Sequence, residues 1–142
     1  MAYTDFLKHQ CYIDGAWVDA DSGATFEVTD PGSGAVIGTV PKMGADETAR
    51  AIDAAEAALP AWRARTAGER AKLMRKLYDL MMEHQDDLGE LLSREQGKPL
   101  AEGRGEIAYG AGFIEWFAEE GKRAYGDVIP GHAADRRIVV IK

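Results

Sequence analysis

From Leu100 to Tyr125 the chain reads as one long helix with apolar residues on two of its faces. Ile107, Ile114 and Ala118 form one stripe, and Tyr109, Phe113 and Trp116 form another at i, i+4, i+7. Two apolar faces require burial on more than one side. Such a helix needs neighbours that a chain of 142 residues supplies only in part. It also carries Gly103, Gly105, Gly110 and Gly112. Each costs up to about 1 kcal/mol relative to alanine in a helix interior. Close approach by another backbone would offset that cost; equally, the helix simply tolerates it.

The residues ahead of this helix divide into a β part and a helical part. Cys11-Tyr12-Ile13, Asp14-Gly15 and Ala16-Trp17-Val18 spell a hairpin, because Asp-Gly accepts the positive φ angles of a type I′ turn. Its register sets Tyr12 opposite Trp17. A second strand pair is expected from Thr25 to Thr29 and from Ala35 to Val40, joined by the turn residues Asp30-Pro31-Gly32-Ser33-Gly34. After Gly44 the period becomes helical. A first helix is expected from about Asp46 to Leu59, with Ala49, Ile52, Ala55 and Leu59 on one face and Pro60 as its stop. Thr66 and Glu69 form a capping box for the second helix, whose stripe runs Leu73, Leu77, Leu80. After a break near Gln85-Asp86 the stripe resumes at Leu88, Leu91 and Leu92. Gly97 suits the left-handed C′ position and Pro99 opens the third helix. The last residues, Arg136-Arg137-Ile138-Val139-Val140-Ile141-Lys142, read as a strand buried on both faces. No turn or polar tail follows it, so the chain is expected to be truncated there.

Composition narrows the function classes. Hydrophobic residues make up 46% and charged residues 29%, enough for a globular core. A net charge of -7 argues against nucleic acid or an anionic membrane as a partner, since both need surplus cations. Cys11 is the single cysteine, which excludes an internal disulfide framework and a Cys-rich zinc site. No apolar run approaches a membrane span, and Met1 to Gln10 lacks the apolar region of a secretory signal. The expected setting is soluble and cytoplasmic, without a membrane.

The individual motifs assign no chemistry. Gly103-Arg104-Gly105 has Ala108 where a dinucleotide fingerprint needs its third glycine, and no strand precedes it. Gly97-Lys98 lacks the phosphate-loop frame. His9, His84 and His132 have no ligand spacing for zinc, and Cys11 reads as a small hydrophobe in a strand. Glu115, Glu119, Glu120, Lys122 and Arg123 read as a solvated helix face with i,i+4 pairing. No nucleophile, base and orienting group can be assembled, so no catalytic and no cofactor-binding residue is assigned.

Four marks in order carry a resemblance: Tyr12-Ile13-Asp14-Gly15-Ala16-Trp17, Val28-Thr29-Asp30-Pro31-Gly32-Ser33-Gly34, Glu95-Gln96-Gly97-Lys98-Pro99, and the aromatic helix. Together they resemble the N-terminal portion of an NAD(P)-dependent aldehyde dehydrogenase, over essentially residues 11 to 142. Val40 to Thr48 and Phe113 to Arg123 look most like the bacterial succinate-semialdehyde dehydrogenase branch. The resemblance implies an α/β parent fold, of which this chain would be antiparallel hairpins, three main helices and a C-terminal strand. Residues 1–10 would be an N-terminal tail, 11–125 part of the cofactor-binding domain, and 126–142 a linker and strand entering the oligomerisation sheet. In the family, a cysteine thiolate attacks the aldehyde, hydride passes to NAD or NADP, and a glutamate-activated water hydrolyses the thioester. Those residues lie beyond the portion matched here, so the isolated chain is expected to be inactive. By position, Tyr109, Phe113 and Trp116 would line the aldehyde tunnel, although a plain core role suits them equally well. Val28, Thr29 and Glu95 match a monovalent-cation site of some relatives, with Glu95 in place of a commoner aspartate. The implied partners are a small-molecule aldehyde and further copies of the chain, as a dimer or tetramer. The alternative is a self-contained, non-enzymatic helical module that binds a partner through its apolar faces.

Overall fold

Three antiparallel two-stranded ladders and four helices make up the computed structural model, which describes residues 2–142. Strands β1 (Cys11–Ile13) and β2 (Ala16–Val18) form the first hairpin, with Tyr12 opposite Trp17 as the turn chemistry requires. Asp14 and Gly15 take φ angles of 49° and 78°, as a type I′ turn needs. Strands β3 (Thr25–Thr29) and β4 (Val36–Pro41) form the second, with an irregularity between Val28 and Thr29.

Helices α1 (Ala45–Ala64), α2 (Ala67–Glu83), α3 (Gln85–Gln96) and α4 (Leu100–Glu120) follow. Pro60 does not stop α1, which runs on to Ala64. A proline removes one helical hydrogen bond, and here that loss falls near the C-terminus, beside Trp62, which lines a small cavity with Ala71, Met74 and Phe117. The break between α2 and α3 comes at His84, whose φ of -107° and ψ of 20° leave the helical region. The Thr66 hydroxyl accepts from the Glu69 N–H at 3.3 Å, and Glu69 accepts from the Thr66 N–H at 2.8 Å, completing the capping box. Helices α2 and α3 both pack along α4, whereas α1 has no interface of comparable extent.

The chain closes on a hairpin rather than a lone strand. Strand β5 (Asp127–Pro130) pairs with β6 (Arg137–Val140), Val128 facing Val139 and Ile129 facing Ile138. The expectation that this strand is buried on both faces fails: Val139 is 65% exposed and Ile138, Val128 and Ile129 are also exposed. Four apolar residues in a row record a strand that needs cover on both sides, and among the described residues its one extensive interface is with β5.

Residues 2–10 lie against the rest of the structure. Tyr3 stacks under Arg94 of α3, with 4.4 Å from guanidinium carbon to ring centre, and Phe6 packs on His84 at 5.1 Å. His9 Nδ1 lies 3.0 Å from the Thr39 carbonyl of β4.

The interior is sparse. The buried apolar residues are Ala20, Ala71, Ala111 and Ala118, and no large side chain among the described residues is fully buried. The accessible surface is 10175 Å², against about 7,200 Å² for a compact monomer of this mass.

Candidate functional site

Helix α4 is built inside out. An ordinary surface helix buries its large apolar residues and shows polar ones. This one buries Gly103, Ala111 and Ala118 and turns its aromatics outward. Tyr109 is 70% exposed and Trp116 63%, with Phe113 and Phe117 also exposed. The two stripes expected from the sequence are both present: Ile107 and Ile114 are half-buried and Ala118 is buried, whereas Tyr109, Phe113 and Trp116 are exposed.

The aromatics form one continuous wall. Tyr109 and Phe113 meet edge to face with ring centres 4.9 Å apart, an arrangement the ring quadrupoles favour. With Gly112, Trp116 and Phe117 they line an open concavity of about 520 Å³. All three residues singled out from the sequence, Tyr109, Phe113 and Trp116, are brought together here. Phe117 was missed, although its spacing of four from Phe113 extends the stripe by another helical turn. The Tyr109 phenol and the Trp116 indole N–H are the wall's polar side-chain groups, and neither is a nucleophile or base at neutral pH, so the face is suited to holding an apolar chain and not to bond-making.

Three contacts tie α4 to its neighbours from behind. Against α3, Arg104 pairs with Asp86 at 2.8 Å and the Gln85 amide donates to the Arg104 carbonyl at 2.9 Å. Against α2, Arg75 pairs with Glu115, and that carboxylate holds the guanidinium pKa above its ordinary value. The remaining charges expected to pair at i,i+4 pair otherwise: Lys122 with Glu119 and Arg123 with Glu120, each at i,i+3, while Glu115 reaches across to α2. The Lys122 ammonium also lowers the Glu119 pKa.

Two of the sequence marks interlock at the other end of α3. Gly97 has φ 72°, and a Cβ there would lie 2.7 Å from Cγ of Pro31. Both the left-handed backbone and the close turn demand glycine. Within that turn Asp30 accepts from the Gly32 N–H at 2.7 Å, which holds its carboxyl below the usual range.

Of the expected cation ligands, Val28 and Glu95 border one cavity of about 60 Å³, shared with His9, Gly38, Thr39 and Leu91; Thr29 is not part of its wall. Glu95 is the one carboxylate in that wall and Lys8 is also part of it, so the cavity does not gather the several oxygens a hard cation takes. Among the described residues no three or more His, Cys, Asp or Glu gather as a metal site, and no helix is long and apolar enough to cross a membrane.

Comparison with known proteins agrees with this architecture. Residues 17–142 match the model of the aldehyde dehydrogenase family. The chain belongs to that family. A glutarate-semialdehyde dehydrogenase of Pseudomonas aeruginosa is 64% identical over 136 residues, covering 96% of this chain and 28% of that protein. An NADP-dependent succinate-semialdehyde dehydrogenase of Escherichia coli is 62% identical over 98% of this chain and 29% of its own length. Among solved structures, a succinate-semialdehyde dehydrogenase from Burkholderia pseudomallei superposes with a TM-score of 0.89 at 61% identity, over 95% of this chain and 28% of that one. The chain thus spans less than a third of the curated relatives it matches.

Proposed function

We propose that this chain is the N-terminal part of an NAD(P)-dependent dehydrogenase that oxidises a short carboxylate-bearing aldehyde, succinate or glutarate semialdehyde, to the acid. The observation that carries the reading is identity of 62% and 64% to two semialdehyde dehydrogenases over nearly the whole chain. The inside-out α4 supports it. In such an enzyme Tyr109, Phe113 and Trp116 form one wall of the aldehyde path, where an apolar surface excludes water from a reactive intermediate.

The wall itself contains no cation, so the substrate's carboxylate is met by groups elsewhere in the enzyme. The dinucleotide accepts the hydride when bound. No strand, glycine-rich loop and helix unit occurs among the described residues to cradle it. Residues 11–125 then belong to the cofactor-binding domain as packing elements, with 126–142 leading into an oligomerisation sheet that joins copies as a dimer or tetramer. Val28, Thr29 and Glu95 would contribute part of a monovalent-cation shell, with Val28 and Glu95 the better supported by their shared cavity. A self-contained binding module is the poorer reading, because it gives no account of the 64% and 62% identity to two dehydrogenases over nearly the whole chain.

The test is to express the complete reading frame that contains this sequence and follow NADH and NADPH formation with both semialdehydes and a neutral aldehyde of similar length. Turnover favouring the semialdehydes is expected, with none from the 142 residues alone. Turnover by the isolated chain, or no turnover of any aldehyde by the complete protein, would overturn the reading.

A further inference from the structure

The four glycines of α4 are not equivalent. A Cβ built at Gly105, Gly110 or Gly112 meets nothing within 4 Å. A Cβ at Gly103 would lie 2.5 Å from the carbonyl oxygen of Gly89 on α3 and would collide with Ser93 Oγ. The approach is reciprocal: a Cβ at Gly89 would lie 2.9 Å from the backbone N and Cα of Arg104. Here two helix backbones come close, with the Ser93 hydroxyl and the Arg104 stem beside the crossing. Ser93 Oγ is buried in this seam with no hydrogen-bond partner among the described residues, so the crossing is held by contact and not by a polar bond of that hydroxyl.

The seam continues toward the C-terminus of α4 in small residues. Ala111 is 0% exposed and Ala118 is also buried, with Ala71 of α2 buried near Ala118. Helices packed through ordinary side chains sit roughly 8–10 Å apart. A seam of glycine and alanine removes the slack that larger side chains would leave. The opposite face of the same rigid helix is the aromatic wall.

We propose that Gly89, Gly103 and Ala111 are positioning residues: the close α3–α4 crossing at the two glycines, with Ala111 fully buried further along α4, fixes where that helix sets Tyr109, Phe113 and Trp116 along the aldehyde path. The proposal rests on the dehydrogenase reading and extends it to residues that touch no substrate. Because the seam includes backbone atoms, no rotamer change relieves a methyl added at Gly103. The helix must move, and the wall moves with it. A displaced wall weakens contacts made equally in the ground and transition states, which raises KM while leaving kcat nearly unchanged.

The test is steady-state kinetics of the complete enzyme with its preferred semialdehyde. Gly103→Ala is expected to raise KM about fivefold or more with kcat within about twofold, the signature of lost uniform binding. Gly105→Ala, which adds the same methyl away from the α3 crossing, should leave both constants unchanged. Should Gly103→Ala fail to fold, Ala111→Ser serves instead, since its hydroxyl bonds back to the helix and adds a single atom to the seam; a KM rise of about two- to threefold is expected. A folded Gly103→Ala or Ala111→Ser enzyme with unaltered KM, or one that loses kcat alone, would overturn the positioning role. A wild-type enzyme that oxidises no aldehyde would instead sink the dehydrogenase reading, and the positioning role with it.

Discussion

Adding a methyl at Gly103 and adding one at Gly105, two residues apart on one helix, should push stability in opposite directions. At Gly103 the methyl meets the Gly89 carbonyl, and overpacking costs about 1–3 kcal/mol. At Gly105 it meets nothing, leaving a gain of up to about 1 kcal/mol from helix propensity. Chemical denaturation of the two variants checks the sign of each. The sequence raised both explanations for these glycines and had no means of dividing them, because close approach depends on what lies across the seam. Local chemistry was far more legible. The Asp14-Gly15 turn, the Thr66-Glu69 box and the Gly97 cap each involve residues a few positions apart, so spacing alone specified them.

Carboxylates bonded to backbone N–H groups imply a response to acid. Glu69 accepts from the Thr66 N–H, Glu47 from the N–H groups of Gly44 and Asp21, and Asp30 from Gly32. Each bond favours the ionised form and lowers the carboxyl pKa below its ordinary value, 4.5 for the glutamates and 3.8 for the aspartate. A group with a depressed folded pKa stabilises fully above its unfolded value, and that stability disappears as pH falls through the folded one. Melting temperature should therefore hold from neutrality down to about pH 4.5 and decline below it. Glu69→Gln should lower the plateau and flatten the decline, which a melting series across that range would reveal.

At the scale of elements, the α1 boundary shows local preference losing to packing. Pro60 costs up to about 3 kcal/mol in a helix interior, which is why a stop at Leu59 is the natural expectation. Carrying the helix to Ala64 sets Trp62 against Ala71, Met74 and Phe117 around a small cavity. Trp62 stays 40% exposed, so it recovers only part of the about 1.5–3 kcal/mol that full burial of a large apolar side chain gives, and the position of Pro60 close to the helix end limits the rest of the cost. Pro60→Ala should then stabilise the chain by roughly 1–3 kcal/mol without altering its helix content, measured by circular dichroism and thermal melting. A drop in stability would mean that the proline's ring, not the tryptophan, holds that turn. Strand β5 escaped the sequence reading for a related reason. Asp127–Pro130 is short and contains one proline, and it is defined only by pairing with β6.

For the whole molecule, what the sequence left undecided was which apolar face of α4 meets the rest of this chain. Two stripes of similar hydrophobicity carry no label for inside and outside; only the partners α2 and α3 make that choice, and they take the glycine and alanines. The consequence reaches beyond α4, since the surface exceeds that of a compact monomer of this mass by about 3,000 Å². An aromatic in a closed core loses about 3–5 kcal/mol when truncated to alanine. An aromatic on an uncovered wall loses far less, because the folded chain already leaves it in water. Trp116→Gln, at a residue 63% exposed, should therefore shift the stability of the isolated 142 residues by no more than about 0.5 kcal/mol. It should also reduce binding of a hydrophobic dye. In the complete enzyme the same substitution should raise KM for the semialdehyde several-fold. A core residue would give the reverse pattern, with stability lost in the isolated chain. Measuring the one variant in both settings separates a wall from a core by the sign of the contrast.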